Sequence, residues 1–144
     1  MELNTASAIV SFTKKLEEDS AKLYRELAEK EKEKEKEKER REMFLSFAKE
    51  NRDNETIVER AYYGVISDQV ESSFFEALDT EEYGIDTKRS RDLGGIVEIE
   101  ETIQRFYLDA AERLRSFLPD VSNAFNRISK RRRKRQKMLL EVDG

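Results

Sequence analysis

An all-α fold is predicted here: a four-helix bundle made of two helical hairpins joined by a long crossover. Three observations carry that expectation. Four stretches repeat apolar residues at three- and four-residue steps, the spacing of one face of a helix. Helix breakers are scarce, with one Pro and five Gly in 144 residues, too few for the many turns of a sheet. Finally, two of the stretches carry the same polar pair: Glu17 and Tyr24 superpose on Glu100 and Tyr107 when the chain is slid by 83 positions. The chain therefore reads as two related halves within a single domain, residues 1–144, large enough to bury about two thirds of its unfolded surface.

The first helix is expected over 6–32. Asn4, Thr5 or Ser7 can cap it, and Ile9, Phe12, Leu16, Leu23 and Leu27 give it an apolar face. From Glu29 to Glu39 the sequence alternates Glu and Lys, and Arg40, Arg41 and Glu42 follow, with no apolar residue in the tract. Such a tract has nothing to bury, so it is read as a solvated turn extending from two helix ends. The alternative is one continuous helix that carries the second helix into a neighbouring subunit as a domain swap.

The second helix is expected over 39–64, with Phe44, Phe47, Ala48, Asn51, Asn54, Ile57, Val58 and Ala61 at helical spacing, so two amides lie in an apolar stripe. Residues 65–92 form the crossover; its early part is apolar enough to extend the helix or form another, and Gly84 with the polar run Asp86 to Asp92 marks a loop. The third helix is expected over 93–118, with Ile96, Ile99, Ile103, Phe106, Ala110 and Leu114 on one stripe and Glu100 at its border. Pro119 is expected to end it. The fourth helix is expected over 121–140, where two cations, Arg132 and Arg135, fall in line with Phe125, Ile128, Met138 and Leu139.

There is no Cys and no His, which removes disulfides, thiolate clusters and imidazole chemistry together. No run approaches the roughly 20 apolar residues a membrane span needs, and no leader is recognised at the amino terminus. A cytoplasmic protein with no membrane partner is expected. The net charge of −4 conceals a segregation, since Lys130 to Lys137 (KRRRKRQK) is almost wholly basic whereas 76–86 is acidic.

The order of helix with Glu-x6-Tyr, amide-bearing helix, crossover and repeated pair resembles the rubrerythrin-like branch of the ferritin-like superfamily. In that family the second and fourth helices carry Ala-x2-Glu-x2-His, and two Glu and two Glu-x2-His motifs point inward to hold a di-iron centre that reacts with oxygen or peroxide. The resemblance implies that Glu17 and Glu100 stand at the family's first and third helix carboxylates. It puts the ligand Glu and His of helix two on Asn51 and Asn54, and those of helix four on Arg132 and Arg135. The resemblance thus makes all six vestigial ligand positions, with the family's residue kept at Glu17 and Glu100 and changed at the other four. Guanidinium stays protonated and only donates hydrogen bonds, so Arg132 and Arg135 repel a cation from that place. They can pair with Glu17 and Glu100, with the amides taking up leftover donors and acceptors and the hydroxyls of Tyr24 and Tyr107 at the bundle centre.

The leading expectation is a non-catalytic scaffold with a structural or interaction role and no cofactor. A second is a divergent oxidoreductase in which Glu17, Glu100, Glu50, Asp53 and Glu101 assemble an all-oxygen site for iron, manganese or magnesium. A third is nucleic-acid binding through Lys130 to Lys137, four of whose seven charges still point outward if Arg132, Arg135 and one neighbour turn in. Phe74, Phe75 and Tyr62 or Tyr63 are candidates for a homodimer contact.

Overall fold

The computed structural model describes residues 1–31, 38–64, 75–88, 92–116 and 118–143. Among them stand four long helices, α1 (Ala6–Glu31), α2 (Lys38–Tyr63), α3 (Leu93–Leu114) and α4 (Pro119–Asp143). The chain is an all-α four-helix bundle in which α1 pairs with α2 and α3 with α4. Local chemistry sets the starts. Thr5 Oγ1 accepts from the Ala8 amide at 3.1 Å, satisfying a donor that the first turn of α1 leaves open. Asp92 does the same for α3, taking the Gly95 amide at 2.7 Å.

α3 stops at Leu114, four residues earlier than expected, and α4 begins on Pro119 itself. Proline has no amide hydrogen to lose and a φ already suited to the first helical position, so it opens a helix more readily than it closes one. The starts of α1 and α3 fall where expected, and the remaining ends differ by one to three residues, the scale on which helix ends fray.

α1 and α2 lie antiparallel within the one chain. Near their junction Arg40 faces Glu31 at 3.7 Å, and the Tyr24 ring packs on Phe44 and Phe47 with centroids 5.9 and 5.2 Å apart. The arrangement is a hairpin rather than one continuous helix; residues 32–37, the middle of the Glu-Lys tract, lie outside the described residues. Across the bundle, Glu17 meets Tyr107 and Tyr24 meets Glu100, so α1 and α3 are antiparallel. Arg135 meets Glu50 and Arg131 meets Asn54, which makes α2 and α4 antiparallel too. α2 and α3 therefore run the same way, and the connection between them must travel the length of the bundle.

The second half of that connection is pinned rather than loose. Leu78–Asp79 pairs antiparallel with Glu2–Leu3 at the amino terminus, a two-residue ribbon (β2 with β1) in the register Glu2 to Asp79 and Leu3 to Leu78. A 3-10 turn over Thr80–Tyr83 follows, its first turn capped by Asp79, which accepts from the Glu81 amide at 3.0 Å. Tyr83 is buried against Phe106, with ring centroids 5.1 Å apart, and donates to Asp109 Oδ2 at 2.5 Å. Arg105 stacks 5.0 Å from the Tyr83 ring and donates to the Glu82 carbonyl at 2.6 Å. The first half of the crossover, 65–74, apolar enough to extend the second helix or form another, lies outside the described residues.

The core runs the length of the bundle. Phe106 is fully buried and touches Phe12, Tyr83 and Tyr107, and Tyr107 passes the contact on to Phe125 at 5.5 Å. Burying each such ring contributes about 1.5–3 kcal/mol. Of the candidates for a homodimer contact, Tyr62 belongs to this core and Phe75 packs half-buried against it, so only Tyr63 is exposed among the described residues. Phe74 lies outside them. None of the described helices is long and apolar enough to cross a membrane.

Candidate functional site

Midway along the bundle the apolar core is interrupted by charge. Glu17, Glu100, Arg132 and Arg135 are buried together with Asn51, Asn54 and Ser20, and Arg132 and Arg135 are the largest of the fully buried side chains. Each helix contributes through its inward stripe. Glu17, Ser20 and Tyr24 follow at steps of three and four on α1, as Glu100, Ile103 and Tyr107 do on α3.

Arg132 is the keystone. Its Nη2 reaches Glu17 Oε2 at 2.7 Å, and its Nη1 reaches Glu100 Oε1 and Oε2 at 2.7 and 2.9 Å. One guanidinium thus bridges two carboxylates from opposite hairpins. The same two nitrogens also donate to Asn51 Oδ1 at 3.0 Å and Ser20 Oγ at 3.2 Å. Arg135 donates from Nη1 to Asn51 Oδ1 at 2.8 Å and to Glu100 Oε1 at 3.3 Å, and from Nη2 to Glu50 Oε1 at 2.6 Å. Its Cζ lies 4.8 Å from the Phe47 centroid and 5.4 Å from that of Tyr24, which adds a cation–π attraction.

The tyrosines close the network crosswise. Tyr24 on α1 donates to Glu100 at 2.6 Å, and Tyr107 on α3 donates to Glu17 at 2.7 Å, so each hydroxyl serves the carboxylate of the other hairpin. Asn54 Nδ2 adds longer contacts to both Glu17 oxygens at 3.3 and 3.4 Å, while its carbonyl accepts from Arg131 at 3.0 Å. Asn51 uses both ends of its amide, accepting from the two arginines and donating to Ser20 at 3.2 Å.

Charge states follow from these partners. Burial alone would raise the Glu100 carboxyl, but Arg132, Arg135 and the hydrogen bonds from Tyr24 and Arg132 together outweigh it and hold it below the usual carboxylate range. Burial alone would also push a proton off Arg132; Glu100 and Glu17 more than reverse that, so the guanidinium is held still more firmly protonated. Burial first, and then the facing carboxylates, push the Tyr24 and Tyr107 hydroxyls well above their ordinary value, so both stay neutral donors. Two buried anions meet two buried cations.

Sequence reasoning named Glu17, Asn51, Asn54, Glu100, Arg132, Arg135, Tyr24 and Tyr107, and all eight meet at this centre. Three more residues belong to it: Ser20 and Arg131, which were not named for the centre, and Glu50, which was named only as a ligand of the all-oxygen alternative. Ser20 sits between Glu17 and Tyr24 on the same stripe, a signal open to reading from spacing alone. Glu50, 28% exposed, enters the network through Arg135, and Arg131 at the rim spans Glu50, Asn54 and, at 3.9 Å, Asp53. Of the five carboxylates of the all-oxygen alternative, Glu17, Glu100 and Glu50 enter the network as partners of the arginines and the other two stand outside it. Asp53 is largely exposed at the rim and Glu101 accepts from Gln136 on the surface. Among the described residues no group of three or more acidic, His or Cys side chains is arranged to hold a metal ion.

The ligand set that the family resemblance implies can also be tested by chemistry. A di-iron centre needs about four carboxylates and two imidazoles to fill its coordination positions and offset its charge. The positions concerned supply two carboxylates, two amides and two guanidiniums, and both carboxylates are already taken by Arg132. This donor set does not fit a di-iron centre. Comparison with protein-family models, with curated proteins and with solved structures finds no match.

Proposed function

We propose that the chain is a non-catalytic member of the rubrerythrin-like branch of the ferritin-like superfamily, in which a Glu/Arg/Asn network stands where relatives hold two metal ions. Its role is then structural or one of interaction. The observation that supports this most is the position of Arg132, one guanidinium bonded to both Glu17 and Glu100, the two carboxylates that the family pattern retains. The parallel course of α2 and α3, with a crossover between them, supports the same kinship.

A fixed cation at that place does the electrostatic work of a metal, drawing four helices to one point, without an open coordination position or a redox couple. The bundle keeps the geometry and gives up the chemistry. The reading is tested by following ferrous iron oxidation in aerated buffer and peroxide consumption with and without the protein. Equal rates in both arms are expected. A protein-dependent acceleration that is lost in a Glu17→Gln, Glu100→Gln variant would overturn it.

A further inference from the structure

The outer face of α4 carries a feature that the buried network leaves unexplained. Arg127, Lys130, Arg133, Lys134 and Lys137 are all exposed, while Arg132 and Arg135, interleaved with them in sequence, turn into the core and Arg131 lies at the rim. None of the five exposed cations has an ion-pair or side-chain hydrogen-bond partner among the described residues, although 32 Asp and Glu give the whole chain a net charge of −4. The spacing puts them on one stripe about 15 Å long, at 1.5 Å of rise per residue. The stripe is rigid, because the residues between its members are tied to Glu17, Glu100, Asn51 and Glu50.

We infer that this stripe is a docking surface for the phosphate backbone of nucleic acid. This goes beyond the scaffold reading above and stands whether or not the centre ever holds a metal. Three properties select that partner. Each cation has another three or four residues away, about 5–6 Å between side chains, with Arg133 and Lys134 side by side across the face, a row suited to a row of phosphates. A protein partner would be expected to meet aromatic or aliphatic anchors, and lysine is depleted from such interfaces. Here Asn126 and the five cations make up the exposed surface of residues 126–137, except for half-exposed positions at its edges, with Leu140 exposed only beyond its end. A lipid surface is held by an amphipathic helix that submerges its apolar face, and the apolar face of α4 is already committed to the core through Phe125, Ile128 and Leu139. With no aromatic residue in the stripe to stack on bases, recognition is of backbone charge and not of sequence.

The test is fluorescence anisotropy of a labelled duplex DNA, with a single strand of the same sequence as a second arm, titrated with the full chain across a range of salt. The expected dissociation constant is about 1–100 μM near physiological salt, and log K should fall against log salt with a slope of about −4, for four or five phosphates at roughly 0.9 each. K130E/K134E/K137E should weaken binding at least tenfold. K14E/K22E/K49E, which changes net charge equally at exposed positions on α1 and α2, should leave binding within about twofold. Circular dichroism of both variants, and of K130Q/K134Q/K137Q, separates lost binding from lost fold. The inference is overturned by absence of salt-dependent binding to either strand form, by equal losses in the two triple variants, or by retention on phosphatidylserine vesicles without binding to nucleic acid.

Discussion

Arg132→Ala should destabilise the protein by about 3–5 kcal/mol, the cost of removing one member of a buried ion pair. The large figure comes from what is left behind. Glu17 would keep Tyr107 and the longer contacts from Asn54, and Glu100 would keep Tyr24 and a 3.3 Å contact with Arg135, but both would remain buried. Two buried anions would then share one deeply buried cation, Arg135, whose shortest charged contact is with Glu50. Chemical denaturation of wild type and variant measures the loss, and a difference under about 0.5 kcal/mol, the size usual for surface changes, would show that the guanidinium contributes nothing there.

The loss should not be mistaken for the worth of the network. Taking four ions out of water costs several kcal/mol each, and Arg132 Nε and Arg135 Nε remain buried without an acceptor among the described residues. The network specifies how the two hairpins meet more than it adds stability. Replacing it together, as Glu17→Gln, Glu100→Gln and Arg132→Met, removes the unpaired charge while keeping acceptors for both tyrosines. That triple variant should recover most of what Arg132→Ala loses.

The second large effect is a gain. Placing the donor types of the rubrerythrin-like pattern at the four positions where this chain differs from it, as N51E/N54H/R132E/R135H, puts four carboxylates and two imidazoles around the same point and removes both buried cations. Without metal that cluster repels itself, and the variant should be strongly destabilised. With ferrous or manganous ion in excess it should regain stability by about 2.7 kcal/mol at a free concentration one hundredfold above its dissociation constant. Wild type in the same titration should not respond. A variant that folds but shows no metal-dependent shift would mean that these positions do not form a ligand shell, and the proposed kinship would lose its support.

How much of this could be read from the sequence depends on how local each signal is. The helices announce themselves through apolar spacing, and a charged residue inside such a stripe, as Arg132 is between Ile128 and Leu139, announces a buried partner because an unpaired ion there is too costly to keep. Glu17 and Glu100 were legible for a further reason: each recurs with a tyrosine at a fixed distance. The pairing of Leu3 with Leu78 was not legible, since two-residue strands 75 positions apart carry no period and are set by where the crossover must lie. Glu50 is named from the sequence only for the all-oxygen site, and its pairing with an arginine was not legible because nothing on α2 marks it; it becomes a partner only once Arg135 is known to reach across from α4. The helix boundary at Pro119 was misjudged by treating proline as a stop where its geometry serves as a start.

The central claim is that guanidinium groups occupy the place where a metal would sit. Elemental analysis of the wild-type chain, purified without chelator from cells grown with added iron and manganese, addresses it most directly. The account predicts metal far below one ion per chain after desalting. Stoichiometric iron or manganese that disappears in a Glu17→Gln, Glu100→Gln variant would contradict it.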